Sequence, residues 1–246
     1  MNSPIPHLLL FFSIFFAIYF TAHFIFFRNW SSKLRPEAAS CLISLAHGTP
    51  AVLLACQAII SDATHGFAST NTDFQNSVLE YSIAYFLMDI CHYLIFNPSD
   101  VLFIGHHLAT LFVFVTCRYL VVHGAYGILV LLILAEVTSF FQNVWTLARA
   151  LRAESKVAAQ VFDALSPPFY ALYSVVRGLF GPLFVYKMVG FYLTGAADDV
   201  IPRWVWISWI CVVVAAISVS ILWISVRWIE LYRERISVIE KERKIR

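Results

Sequence analysis

The chain has 246 residues, of which 60% are hydrophobic and only 13% charged, and its net charge is +2. Soluble domains carry about 25% charged residues, so the composition excludes an ordinary soluble domain, and so small a net charge does not suggest nucleic-acid binding. No polar stretch is long enough to bury a core of its own, and the expected fold class is an all-α polytopic membrane protein.

Seven apolar segments follow in chain order, at 5–27, 38–60, 77–96, 101–122, 125–147, 167–186 and 204–226. Each has about 20 residues or more, enough to cross roughly 30 Å of hydrocarbon. The first lacks a basic leader and no small-x-small cleavage site follows it, so it reads as a retained helix rather than a signal peptide. Basic residues set the orientation. Arg28, Lys33 and Arg35 follow the first segment, Arg149, Arg152 and Lys156 follow the fifth, and seven more lie within 227–246. The opposite side holds only Arg118, Lys187 and Arg203. This asymmetry predicts a lumenal or external N-terminus and a cytosolic C-terminus.

The polar residues inside the spans carry the functional signal. In the third segment, Asp89 and His92 are three apart and share a helix face. The fourth contains Gly105-His106-His107-Leu108-Ala109-Thr110 within an otherwise apolar run. Two adjacent imidazoles in a bilayer need partners that lipid does not supply. They point about 100° apart, so they face different surroundings, and Thr110 lies one turn away from both. In the fifth segment Glu136, Ser139, Asn143 and Thr146 fall at helical spacing and form one polar stripe on an otherwise apolar helix. The bland reading of that stripe is a hydrogen-bonded helix seam. In the sixth, Arg177 is always charged, and a pairing with Glu136 or Asp89 is expected. Gly178, Gly181 and Pro182 predict a kink there, and His47-Gly48-Thr49-Pro50 predicts a second in the second segment. The simplest arrangement has segments two to seven enclosing a polar-lined cavity, with segment one outside it.

The five cysteines are scattered through apolar segments without a CxxC pair. They read as small buried residues, with no disulfide framework and no metal site. The closing Arg243-Lys244-Ile245-Arg246 resembles a degenerate dibasic retrieval signal, although a solvated flank of the last span accounts for it as well.

Asp89, the His106-His107-x-x-Thr110 element, Gly124 and Gly127, and Glu136-Val137-Thr138-Ser139 occur in an order and spacing that resemble the TLC-domain family, which includes the ceramide synthases. The likeness covers roughly 35–235. It implies an N-terminal helix with its connection at 1–34, a six-helix TLC domain at 35–235 around a lipid-accessible cavity, a charged tail at 236–246, and residence in the endoplasmic reticulum. Ceramide synthases carry two aspartates three residues apart after the histidine pair. Glu136 and Ser139 stand at the matching positions here, so one carboxylate is lengthened and the other is missing.

Two functions of different class are compatible with these residues. The first is binding or sensing of a membrane lipid in the service of lipid homeostasis, with Asp89, His92, Thr110, Ser139, Asn143 and Arg177 holding the head group. The second is an intramembrane acyltransferase of ceramide-synthase type, in which His106, His107 and Glu136 are catalytic and acyl-CoA is a co-substrate. No other cofactor is expected. Lipid transport is a weaker third reading, motivated by the kinks at Pro50 and Pro182. Membrane lipids are the expected partners, and the sequence leaves room for a homodimer.

Overall fold

The computed structural model describes residues 5–245, with side chains over 7–236. Arg246, the last residue of the dibasic element, lies outside the described residues. The helices are α1 (Ile5–Thr21), α2 (Leu34–Ile60), α3 (Asp73–Phe96), α4 (Val101–Val115), α5 (Ala125–Glu136), α6 (Ser139–Leu151), α7 (Lys156–Val175), α8 (Gly181–Leu193) and α9 (Arg203–Ile245). Wider π turns extend α1 at Ala22–Phe26 and α4 at Thr116–Val121, and a third at Val176–Phe180 joins α7 to α8. Helices α5 and α6 together form one span and α7 and α8 another, so seven helices are long and apolar enough to cross a membrane. The chain is an all-α polytopic membrane protein, as expected.

The sixth span is longer than its apolar core, running from Lys156 to Leu193 over 38 residues. Gln160, Asp163 and the Pro167-Pro168 pair dilute the hydropathy of its first half, yet both prolines sit inside α7. Ser155 caps that helix by accepting from the Ala158 N–H at 3.3 Å.

Small residues let the central helices approach closely. Ala51, Ala55 and Ala58 of α2 are fully buried, as is Ala84 of α3, the spacing by which membrane helices bring their backbones together. Pro50 does not end α2. It lacks the N–H that would bond the Ala46 carbonyl four residues back, and the Tyr81 hydroxyl of α3 donates to that carbonyl at 2.7 Å instead. The first helix lines no part of the cavity, but it is well anchored. Phe15 is buried against Tyr81 and Tyr85, and the Tyr19 hydroxyl meets His92 Nδ1 at 2.8 Å.

One end of the bundle is closed by the connections at 61–72 and 122–124. Asn71 is its hub. Its side-chain amide donates to the Cys117 carbonyl at 3.0 Å, its Oδ1 accepts from the Ala125 N–H at 2.9 Å, and its own N–H reaches the Val122 carbonyl at 2.9 Å. Gly124 takes a left-handed conformation (φ 84°), and a Cβ there would sit 3.0 Å from the Phe67 carbonyl. Beside it Thr72 and Gln75 form a reciprocal capping box on α3, which satisfies two backbone donors at the helix start. Gln75 also donates to Asp62 at 2.9 Å. Within the membrane, Glu80 of α3 accepts from Arg118 Nε at 2.8 Å, so the arginine near the end of the fourth segment is drawn into an ion pair with a buried carboxylate.

Candidate functional site

The opposite end, which carries Lys33, Arg149 and the mouth-lining Asp100, opens into a polar chamber of about 630 Å³. Its inner walls include Ser40 of α2, Asp89 and His92 of α3, His107 of α4, and Ser139 and Asn143 of α6. A smaller apolar pocket of about 110 Å³ lies deeper, between α4, α5, α8 and α9, lined by residues such as Thr110, Phe114, Leu132, Val213 and Ile217. His106, Glu136 and Arg177 line both cavities. All nine residues singled out from sequence therefore border one chamber or the other, and three stand where the two meet.

The histidine pair divides its work. His107 is 3% exposed and both ring nitrogens are engaged, Nδ1 with the Phe103 carbonyl at 3.0 Å and Nε2 with Asp89 Oδ2 at 2.8 Å. A carbonyl only accepts, so Nδ1 carries a proton. The Nε2–Asp89 contact then needs a second proton shared between imidazole and carboxylate. Asp89 accepts in addition from the Ser40 hydroxyl at 2.8 Å. This unit ties α2, α3 and α4 together. The ring of His106 stands 5.7 Å from that of His107 and nearly perpendicular to it. Among the described residues no hydrogen bond holds its nitrogens, and it projects into the cavity.

The helix that carries the polar stripe breaks at Val137 and Thr138, between Glu136 and Ser139, so those two residues flank an opening in the backbone ladder, while Glu136, Ser139, Asn143 and Thr146 all line the chamber. Such a break leaves carbonyls at one helix end and N–H groups at the next without partners. Arg177 serves the first end, with Nη2 donating to the Ala135 carbonyl at 2.7 Å and Nη1 to Ser220 Oγ at 3.5 Å. The expected ion pair of Arg177 with Glu136 or Asp89 is absent among the described residues. A carbonyl released by the break and a hydroxyl of α9 hold the guanidinium, and Asp89 is already engaged by His107. Where Gly178 and Gly181 predict a kink, a π turn at Val176–Phe180 joins α7 to α8 and carries Arg177.

Glu136 instead comes within 3.9 Å of His47 Nδ1. His47 is fully buried, stacked on Tyr85 with ring centroids 4.0 Å apart, and bonded through Nε2 to Ser82 at 3.1 Å. Sequence reasoning noted this imidazole beside Pro50 and did not assign it to the site. Its neighbour Gly48 explains the closeness, because a Cβ there would lie 2.7 Å from Ser139 Oγ and 3.0 Å from Glu136 Oε2. His47 Nδ1, Thr138 Oγ1 and Arg177 Nε are buried polar atoms without a hydrogen-bond partner, and all three surround the break. Asn143 donates to the Ser139 carbonyl at 2.9 Å, and Thr110 back-bonds to the His106 carbonyl at 2.9 Å. Those two contacts are local to their helices. Among the described residues no group of three or more His, Cys, Asp or Glu converges on a common point where a metal would sit.

The elements that the sequence likeness rested on, Asp89, the histidine pair and the Glu136–Ser139 segment, thus converge on one intramembrane site. Residues 37–227 match the TLC domain. The chain belongs to the TLC-domain family. A TLC domain-containing protein of Arabidopsis thaliana is 61% identical over 245 residues, covering 98% of this chain and 96% of the relative. No solved structure matches the chain. Within this TLC domain the match begins at Glu37 in the first turn of α2 and ends at Arg227 in α9, so it spans every helix that lines the two cavities and leaves out α1.

Proposed function

We propose that this TLC-domain protein binds an amphipathic membrane lipid, with the head group in the polar chamber and the adjoining chain in the apolar pocket, and that it acts in membrane lipid homeostasis. The observation that carries this reading is the junction itself. A polar and an apolar cavity share the residues His106, Glu136 and Arg177, and an amphipathic molecule is the ligand class whose two halves match such a boundary. A cavity near 110 Å³ takes a few methylenes, about what an engineered cavity of about 150 Å³ holds as one benzene. A longer chain therefore continues beyond the pocket. The family resemblance and the basic end of the bundle support placement in the endoplasmic reticulum with the chamber open to the cytosol.

The test is lipid extraction and mass spectrometry of protein purified in mild detergent, beside the variant Ala216→Phe, which fills the apolar pocket. A stoichiometric lipid in the native chain that is depleted at least about tenfold in the variant, the equivalent of about 1.4 kcal/mol, is the expected result. Absence of any retained or exchangeable lipid in folded protein contradicts the proposal.

The free ring of His106 favours a second reading, acyl transfer from acyl-CoA. His106 would take the proton of an acceptor amine or hydroxyl as its heteroatom attacks the thioester carbonyl, and would return it to the departing thiolate as the C–S bond breaks. His107 and Asp89 would position it without touching the reacting atoms. Acyl-CoA consumption in lipid nanodiscs, lost in His106→Ala, is the outcome this reading requires. An unchanged background rate in that variant removes it.

A further inference from the structure

Arg177 is the one intramembrane arginine of the site, and its partners are neutral. It caps the Ala135 carbonyl and touches the Ser220 hydroxyl, its guanidinium lies over the Tyr173 ring at 5.3 Å, and among the described residues no carboxylate lies within ion-pair distance of it. By contrast Arg118, half-buried like Arg177, is held by Glu80. A guanidinium stays charged under all ordinary conditions, and an uncompensated charge within a membrane is unfavourable. The C-terminal end of α5 offsets part of it, since helix ends carry only a partial negative charge. The same spot receives the N-terminus of α6, which begins at Thr138 without a side-chain cap and adds partial positive charge. Of the carboxylates nearby, Asp89 is engaged by His107 and Ser40, while Glu136 sits toward His47, beyond ion-pair distance of Arg177, and offsets part of its charge through space only.

Resting on the lipid-binding reading above, we infer that the ligand is an anionic amphiphile of single negative charge, and that its anionic oxygens, a carboxylate or a phosphodiester, lie at Arg177, on the boundary of the two cavities rather than at the chamber mouth. The two terminal nitrogens of a guanidinium form a fork suited to an oxygen pair. One cation and one helix end balance one charge. A doubly charged phosphate monoester at this place would add its second charge beside Glu136. The chain then enters the apolar pocket directly below, and the polar chamber above has room for whatever the anion carries on its other side.

The experiment uses the full purified chain stripped of lipid in detergent, with four probes sharing one oleyl chain: oleate, oleoyl lysophosphatidylglycerol, oleyl alcohol and oleylamine. Binding is read from the fluorescence of the chamber tryptophans Trp145 and Trp223 and from ligand-induced shifts in Tm. At least one anion is expected to bind about tenfold or more tighter than the alcohol and the amine. Arg177→Gln abolishes that preference while leaving alcohol binding in place, and Arg177→Lys restores part of it. A preference for oleate identifies a free carboxylate as the source, and a preference for the lysolipid identifies a head-group phosphodiester. Alcohol or amine binding as tightly as both anions overturns the inference but leaves lipid binding standing, as does a preference that survives Arg177→Gln. Failure of all four probes to bind overturns the lipid-binding reading itself. If Arg177→Gln does not fold, the ranking of the four probes on the native chain decides alone.

Discussion

The two ends of the bundle use similar side chains for different ends. At the closed end Asn71, Asp62, Gln75, Glu80 and Arg118 are engaged with one another or with backbone groups of neighbouring helices. At the chamber, His106 has no hydrogen-bond partner for its ring, and His47, Thr138 and Arg177 each keep a buried polar atom unpartnered. Glu80 Oε2 is such an atom at the closed end, but three gather around the break, and because buried polar groups in folded proteins are ordinarily satisfied, that concentration marks a place shaped by something other than stability. The contrast teaches that an intramembrane polar residue is not by itself a functional sign. What separates Glu80 from Glu136 is the partner and the place: Glu80 is held by a guanidinium at the closed end, whereas Glu136 sits beside His47 and Ser139 on the wall of both cavities.

Substitutions that break this comparison should separate stability from ligand response. The largest expected effect is at the closed end. Asn71→Ala removes the hub amide, leaves the Ala125 N–H without a partner and takes one of two donors from the Cys117 carbonyl, which the Val122 N–H still meets. At about 1–3 kcal/mol for each buried group left unsatisfied, the loss should reach about 3 kcal/mol in detergent unfolding, with lipid binding unchanged in the molecules that remain folded. Gly48→Ala comes next. The added methyl meets Ser139 and Glu136 inside normal contact distance, and overpacking of this kind costs about 1–3 kcal/mol. Because it displaces the two residues that flank the break, it should weaken lipid retention as well, which a retained-lipid assay beside the unfolding curve would show.

His106→Ala inverts the closed-end result. The ring makes no hydrogen bond, so unfolding should shift by no more than about 0.5 kcal/mol, while lipid selectivity or acyl-CoA consumption changes. A large loss of stability instead would place His106 among the packing residues. The smallest effect is a pH dependence of the closed end. Burial opposes ionisation of Asp62, but hydrogen bonds from Thr64 and Gln75 outweigh it and hold its carboxyl below the usual carboxylate range. A depressed folded-state value means that this stabilisation is fully present above the ordinary carboxylate range and fades as pH falls through the folded value. Thermal unfolding of the native chain and Asp62→Asn should therefore converge as pH falls below the ordinary carboxylate range toward the folded value, and curves that stay parallel would exclude the linkage.

Much of the fold was legible because span length and the distribution of Arg and Lys are read directly from the chain. The start of the sixth span at Lys156 was not, since two prolines and Asp163 resemble a boundary and the helix tolerates both prolines. The site residues were legible as polar atoms in apolar runs, but their pairing was not. Arg177 was matched to carboxylates by charge, whereas its strongest contact is a backbone carbonyl released by a break that no Gly or Pro announces between Glu136 and Ser139. Charge complementarity reads side chains only, and a broken helix adds partners that belong to the backbone. The Glu80–Arg118 pair was missed for a related reason. Arg118 falls inside the fourth apolar segment, where it was counted for orientation alone, and the π turn Thr116–Val121 keeps it helical and within reach of Glu80. A buried glutamate one span away was the available signal.

The bond between Tyr81 and the Ala46 carbonyl has a consequence for how the chain can change over generations. Pro50 withdraws a donor from its own helix, and a hydroxyl on α3 replaces it. Neither residue is tolerable alone in the same way. A descendant that kept the proline and lost the hydroxyl would carry an orphan carbonyl in the bilayer, a burden of about 1–3 kcal/mol. A descendant that lost the proline would free position 81 to drift. The two positions should therefore be inherited as a pair, and a set of related sequences in which Pro50 persists while residue 81 varies freely among apolar types would show that the repair is dispensable.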